Sequence, residues 1–399
     1  MTYQFADAQV WPHECALKTQ GQLKYLATSL PKPLRTLARH VQASDLNWEY
    51  KYFWSQTALL LVRQKARVKK LKGAWGPLHD QLFEDWNRSE HAEIFLKALN
   101  KSSNMKAASK EAEEKVCHQL HFIASSIFGI KSNFKFKAAK IFELAQFPQG
   151  KSAKTIILDS SSSIYFESWD KKNFKKHLVN ITNSLALIKT HSPDSYDFFK
   201  TFTKKIVPIK QKELVSYSLQ SLPGHSFINL YNRDRLDLLD DLLHENGHHH
   251  LNHFLILEEP LLESPELTFY SPWRESRRPL RGIYHAYMTF YFAQKLYFDL
   301  IKESKNKKFI CSKPEFQKIL YRFCEETLSL EYTAKDIERA YRANKITKSG
   351  YLLFKHFRSL DLRMAKSLSL AFKSLDAAKK KKIKKFSEDL RSQQRWAIT

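Results

Sequence analysis

Glycine is scarce in this 399-residue chain, at 9 residues, and cysteine and methionine number only 4 each. So little glycine argues against long glycine-built loops and against the glycine-rich turns of nucleotide-binding folds. Cys15, Cys117, Cys311 and Cys324 are scattered and none forms a C-x-x-C pair, so a zinc knuckle is not indicated. They fit reduced thiols in a cytoplasmic protein better than a disulfide framework. No run of 18 or more apolar residues is present, so no membrane span is expected. The segment Met1 to Leu17 lacks a basic stretch followed by an apolar core, so no signal peptide is expected. Acidic residues are also in deficit: 66 lysines and arginines face 41 aspartates and glutamates, a net charge of +25. That excess favours an acidic partner, whether nucleic acid, an anionic membrane or an acidic peptide, unless it is simply a solvated lysine surface.

What is present is globular. Hydrophobic residues make up 43% of the chain, enough for two or three packing units with a real core. Residues 1–150 read as helical. Apolar positions recur at helical spacing in Leu23 to Leu30, Leu34 to Val41 and Tyr50 to Val68. An aromatic cluster at Trp48, Tyr50, Tyr52, Phe53 and Trp54 reads as core, Arg63 to Lys72 as a basic helix face, and Ser102 to Lys115 as a polar loop. Residues 151–232 read as mixed α/β. Lys154 to Leu158 and Ser163 to Phe166 form a hairpin pattern, Phe174 to Ile188 a helix, and Ile206 to Ser216 and Ser226 to Leu230 further strands, with a turn at Pro223-Gly224. Residues 233–300 hold the chemistry. Residues 301–399 return to helix over Lys313 to Leu330, Ala334 to Asn344 and Lys348 to Phe372, with Thr333 and Asp336 suggesting a helix start. A lysine run, Lys379 to Lys385, closes the chain and reads as a solvated helix or a contact for an acidic partner. The expected fold class is mainly α with a small β-sheet (α+β).

The chemistry begins at His244-Glu245-Asn246-Gly247-His248, an H-E-x-x-H pattern. Leu236, Leu239, Leu243 and Gly247 fall at helical spacing behind Asp234, a candidate N-cap. On a helix, His244 and His248 share one face, a turn apart, and two neutral imidazoles so placed can bind one transition metal ion. Glu245 beside them is a base, an orienter or an extra ligand. Gly247 costs about 1 kcal/mol in a helix interior and so predicts a close approach by a neighbour. Three more histidines, His249, His250 and His253, leave the ligand choice open. A metzincin would need glycine at 251 and histidine at 254, where this chain has Leu251 and Phe254. A thermolysin-like site would need a helical glutamate, but Glu258, Glu259, Glu263 and Glu266 cluster around Pro260 and Pro265 in a loop pattern.

Downstream, Arg274, Arg277, Arg278 and Arg281 fall within eight residues beside Trp273. The segment Gly282 to Leu300 that follows is apolar nearly all round, which predicts a buried helix, and its one imidazole is His285. His285 is a candidate third ligand, the bland alternative being a core histidine. The arginines suit a cosubstrate with a carboxylate at each end, because the planar guanidinium grips a carboxylate with two hydrogen bonds. A peptidase needs no such anion.

His244-Glu245-x-x-His248, Ser271-Pro272-Trp273-Arg274 and Arg278-Pro279-Leu280-x-Gly282-x-x-His285 together resemble the HExxH-type peptide modification family of 2-oxoglutarate-dependent peptide β-hydroxylases. The resemblance spans about 233–300. It implies Fe(II) held by His244, His248 and His285 on two helices joined by an arginine-rich loop. It also implies 2-oxoglutarate and O2, with Arg274 and Arg278 on the 2-oxoglutarate carboxylates, Arg281 behind them and Arg277 exposed. Glu245 would orient the site or replace one histidine as ligand. The substrate would be a ribosomally made precursor peptide, acidic to suit the basic chain, hydroxylated at a side-chain β-carbon. Two other classes stay open: a zinc metallopeptidase with Glu245 as general base, and a basic nucleic-acid-binding or scaffold protein.

Overall fold

The computed structural model describes residues 10–30, 32–44, scattered positions from 48 to 59, and 152–393. Within the last range, 161, 169, 211, 213–214, 219–223, 258–259, 263–267 and 307 are excepted. The basic stretch Arg63 to Lys72, the polar stretch Ser102 to Lys115, Cys117 and the four loop glutamates lie outside the described residues, as does most of the Tyr50 to Val68 helix pattern. The chain divides into two compact units, one over Gln9–Pro148 with Leu219–Pro223 and the other over Gln149–Ser218 with Gly224–Thr399 and Met1–Ala8.

In the first unit, α1 (Val10–Ser29) packs on α2 (Lys32–Ala43). Leu23, Leu26 and Leu30 of the first repeat are buried, with Ala38 and Val41 of the second and Trp54 beyond it. Helix α1 starts well upstream of the apolar repeat at Leu23, because buried Cys15 and Thr19 continue the same face by one further turn each.

The second unit carries all the candidate site residues. Its strands are β1 (Ser152–Ile157), β2 (Ser163–Ser168), β3 (Lys205–Ile209), β4 (Tyr217–Ser218) and β5 (His225–Asn229), in the order β1-β2-β3-β5-β4. β1 and β2 form an antiparallel hairpin, with Ser152 opposite Ser168 and Ile157 opposite Ser163. β2, β3 and β5 run parallel, and β4 closes the far edge antiparallel to β5. The crossover from β2 to β3 passes through α3 (Phe174–His191) and α4 (Pro193–Phe202). Every residue of β5 is buried, as expected for an inner parallel strand covered on both faces. The strand expected over Ile206 to Ser216 ends at Ile209. The chain then turns back so that Ser216 can donate to Asp241 and cap the backbone N–H of Asn229.

Helix α5 (Arg235–Leu257) follows β5, and the hairpin β6 (Thr268–Ser271)–β7 (Ser276–Pro279) leads into α6 (Leu280–Lys305). The arginine-rich segment is therefore not the simple loop expected, because Thr268 to Ser271 pair antiparallel with Ser276 to Pro279. Its tight turn is closed by Glu275 in the left-handed region, at φ 47°. Helix α6 is buried around most of its circumference, packed against α5 and α7 (Lys313–Arg342). Thr333 and Asp336 do not start a helix. Both are buried in the interior of α7, which runs unbroken for 30 residues. Ser312 makes the real start by accepting from the Glu315 N–H. The segment Lys348 to Phe372 is split into α8 (Lys348–Ala365) and α9 (Leu368–Lys373), and α10 (Ala377–Ser392) carries the lysine run. Several polar groups inside this helical layer are paired. Tyr287 donates to Asp361, which also receives Gln294 and Arg358, and Arg358 reaches Glu331.

Candidate metal and cosubstrate site

The motif helix is built locally. The Asp237 N–H donates to Asp234 Oδ1 at 3.0 Å and the Asp234 N–H to Asp237 Oδ2 at 3.2 Å, a reciprocal capping box. Leu236, Leu239 and Leu243 then turn into the core. On the adjoining face His244 and His248 stay half-buried, with ring centroids 5.0 Å apart. Gly247 lies at the closest approach of α5 to α6. A Cβ there would sit 2.8 Å from Phe292 Cδ2 and 3.2 Å from the Thr289 Cα. The glycine is required by the neighbouring helix.

His285, in the second turn of α6, is half-buried and its ring centroid lies 6.1 Å from that of His248. Imidazoles ligating one ion through nitrogens at about 2.1 Å would hold their centroids roughly 5 Å apart. The His244–His248 pair meets that spacing and the His248–His285 pair is wider. Among the described residues no group of three histidines, cysteines, aspartates or glutamates stands ready to hold a metal ion. The donor chemistry does fit one. Burial, His248 and Arg274 push His244 well below the usual histidine range, and burial, Arg274 and Arg278 bring His248 down to about 4. Both rings are neutral at physiological pH, the state that offers a lone pair to a metal.

The other three histidines belong to the core. The His249 Nε2 lies 3.0 Å from Ser226 Oγ, and the His253 Nδ1 lies 2.7 Å from the His249 carbonyl oxygen. His250 packs edge-on against Phe198, Phe202, Phe292 and Phe357. Helical rotation separates these three from the face of His244 and His248.

The hairpin brings arginines to the same place. Arg278 sits opposite buried Phe269, and Arg277 opposite Tyr270 on the other face. Arg274 in the turn acts on His244, His248 and Glu245, and Arg278 acts on His248. Arg274 and Arg278 are exposed, as Arg277 is; among the described residues neither forms an ion pair, and partial desolvation and Arg274 lower the Arg278 pKa. Arg277 is exposed and donates to the Thr268 carbonyl. Arg281 is half-buried in the first turn of α6.

Glu245 is buried beside the histidines. Burial raises its carboxyl to about 8, a shift that Asp241 adds to and that Ser218 and Arg274 oppose. Its Oε2 has no hydrogen-bond partner among the described residues. A protonated carboxyl with one unengaged oxygen suits a group that meets a ligand or a water.

Trp273, Phe290 and Glu326 complete the wall. Trp273 donates from Nε1 to Glu326 Oε2 at 2.7 Å. It stacks on Phe290 at 4.4 Å and 5°, and Phe290 lies 4.4 Å from the His244 ring. Glu326 is buried on α7, and burial holds its carboxyl well above the usual range. It anchors the arginine turn to the rest of the unit. The tryptophan beside the arginines was a visible signal, whereas nothing near Glu326 in the sequence announces its partner.

The chain matches no protein-family model and no curated protein, so its likeness to the peptide β-hydroxylases rests on the motif residues alone.

Proposed function

We propose that this protein is an Fe(II)- and 2-oxoglutarate-dependent oxygenase that hydroxylates a side-chain β-carbon of a ribosomally made precursor peptide. The observation that carries the reading is the meeting of two kinds of group. A half-exposed, neutral histidine pair on α5, with His285 of α6 near it, lies within the field of Arg274 and Arg278, two cations without an ion-pair partner among the described residues. A hydrolytic zinc site has no use for those cations, whereas a dicarboxylate cosubstrate does.

In this reading His244, His248 and His285 hold the iron. With 2-oxoglutarate and O2 bound, the iron supplies the oxidising power for hydroxylation, and 2-oxoglutarate leaves as succinate and CO2. Arg274 and Arg278 neutralise and orient the 2-oxoglutarate carboxylates. Trp273 stacks on Phe290, whose ring lies tilted against His244, and the pair limits water on that side. Glu245 keeps its proton at neutral pH, which makes its carboxyl a hydrogen-bond donor and not a second negative charge beside the histidines.

Anaerobic addition of Fe(II) and 2-oxoglutarate should give a weak visible charge-transfer band. It should be lost in Arg278→Ala and in His285→Ala, while Arg277→Ala keeps it. No band, together with tight zinc binding that 2-oxoglutarate does not alter, would overturn the reading. The buried Glu245 carboxyl beside two histidines would then favour a zinc hydrolase, testable by peptide cleavage with Glu245→Gln as the control.

A further inference from the structure

Helix α10 is charged the wrong way round. Favourable helices place acidic residues near the N-terminus and basic ones near the C-terminus, because the macrodipole is positive at its start. Here Lys379, Lys380, Lys381, Lys382, Lys384 and Lys385 fill the first half, and Glu388 and Asp389 come after them. Lys379 pairs with Asp376, the N-cap. The other five lysines form no ion pair among the described residues, although many basic residues elsewhere in this unit do, including Lys200, Lys205, Arg235, Lys318 and Arg358. Lys380 and Lys384, Lys381 and Lys384, Lys381 and Lys385, and Lys382 and Lys385 are neighbours one turn apart, each pair mildly destabilising. Ile383 and Leu390, seven residues apart on the opposite face, are buried and hold the helix in place. The unit therefore keeps an ordered row of uncompensated positive charge against its own stability.

The acidic later half of α10, not the lysine row, approaches the arginine hairpin. α10 packs on α7, and Tyr270 of β6 meets Tyr332 of α7 with ring centroids 6.1 Å apart. The Tyr270 phenol is raised by burial, then by Glu275 and Asp389, which puts the later half of α10 beside β6. Arg277 shares the hairpin face of Tyr270 and is exposed. The start of α10 is held at the other end of α7, where the Asp376 N–H donates to Gln317 Oε1, so Glu388 and Asp389 stand between the lysine row and the hairpin.

We infer that the exposed lysine face of α10 docks an acidic segment of the peptide substrate outside the segment that reacts. The inference rests on the peptide-modifying reading for the nature of its partner. The chemistry of the row favours a peptide over nucleic acid. The lysines from 380 to 385 span only about 8 Å of helix. The exposed lysine positions include neither arginine forks nor aromatic platforms of the kind that grip phosphates and bases.

The test uses the full chain, free of metal and 2-oxoglutarate, so its outcome does not depend on the oxygenase chemistry. Binding of fluorescein-labelled hexaglutamate is followed by anisotropy, beside an oligothymidylate of equal charge. The peptide should bind, weaken as salt rises, and bind on the order of tenfold more weakly to the Lys381→Glu/Lys384→Glu/Lys385→Glu variant. That variant should melt no lower than the parent, since it removes like-charge pairs. If it does melt lower, the triple glutamine variant replaces it and should weaken binding in the same direction. Absent peptide binding, or binding unchanged in the variant, would make the row a solvated face only. Tighter binding of the oligothymidylate, lost in the same variant, would make it a nucleic-acid surface and overturn the inference.

Discussion

At the scale of single residues, Gly247 shows how a packing constraint and a functional motif share one position. It lies between His244 and His248, yet its cause is the neighbouring helix, since a methyl there would meet Phe292 and the Thr289 backbone. Gly247→Ala would gain helix propensity of about 1 kcal/mol. It would lose about 2–3 kcal/mol through overpacking, for a net cost of about 1–2 kcal/mol. A urea titration should show a lower midpoint with an unchanged slope. A gain in stability would mean that Phe292 moves aside freely. The same residue scale separates the histidines. Five crowd positions 244–253, and composition alone cannot rank them. Rotation along α5 does, leaving His244 and His248 half-exposed and the other three buried.

At the scale of the element, α5 carries a pH liability away from its site. Burial is the main cause that brings His253 from 6.5 down to about 4, with a hydrogen bond at the His249 carbonyl opposing and Lys204 adding. A histidine whose folded pKa is depressed contributes stability that is full above its unfolded value. That stability is lost as pH falls from about 6.5 towards 4, because the unfolded chain takes up the proton first. The loss can reach about 3 kcal/mol for a shift of this size. His253→Phe, which keeps a ring against Phe202, should narrow the gap in urea midpoint between pH 7 and pH 5. An unchanged gap would assign the acid lability to other groups. Element-level pattern was mostly legible. The β1–β2 hairpin, the Phe174 helix, β5 and the buried Gly282 to Leu300 helix stand where alternation and helical spacing put them. The break expected at Thr333 failed, because burial of Thr333 and Asp336 on the packed face of α7 carries the helix through a pair that looks like a cap.

At the scale of the whole molecule, the net charge of +25 sets the response to salt. The folded chain confines positive charges that the unfolded chain spreads apart, and α10 concentrates them further. Screening should therefore stabilise it, and the melting temperature should rise between about 0.05 and 0.5 M NaCl, where the Debye length shortens from about 14 to 4 Å. A fall would mean that ion pairs such as Lys318 with Asp234 and Asp237 outweigh the repulsion. No helix among the described residues is long and apolar enough to cross a membrane.

The sequence by itself determined what depends on neighbours a few residues away. The Asp234 cap, the shared face of His244 and His248, the buried character of α6 and the α+β class all follow from short-range spacing and apolar period. Only the tertiary structure decided what depends on distant segments meeting. It set His285 near His248, folded the arginine segment into a hairpin, and brought Glu326 to Trp273 from 53 residues away. Those meetings are fixed by which faces of α5, α6 and α7 pack together. That choice is made by side-chain volume and burial across the whole unit, which no local period records.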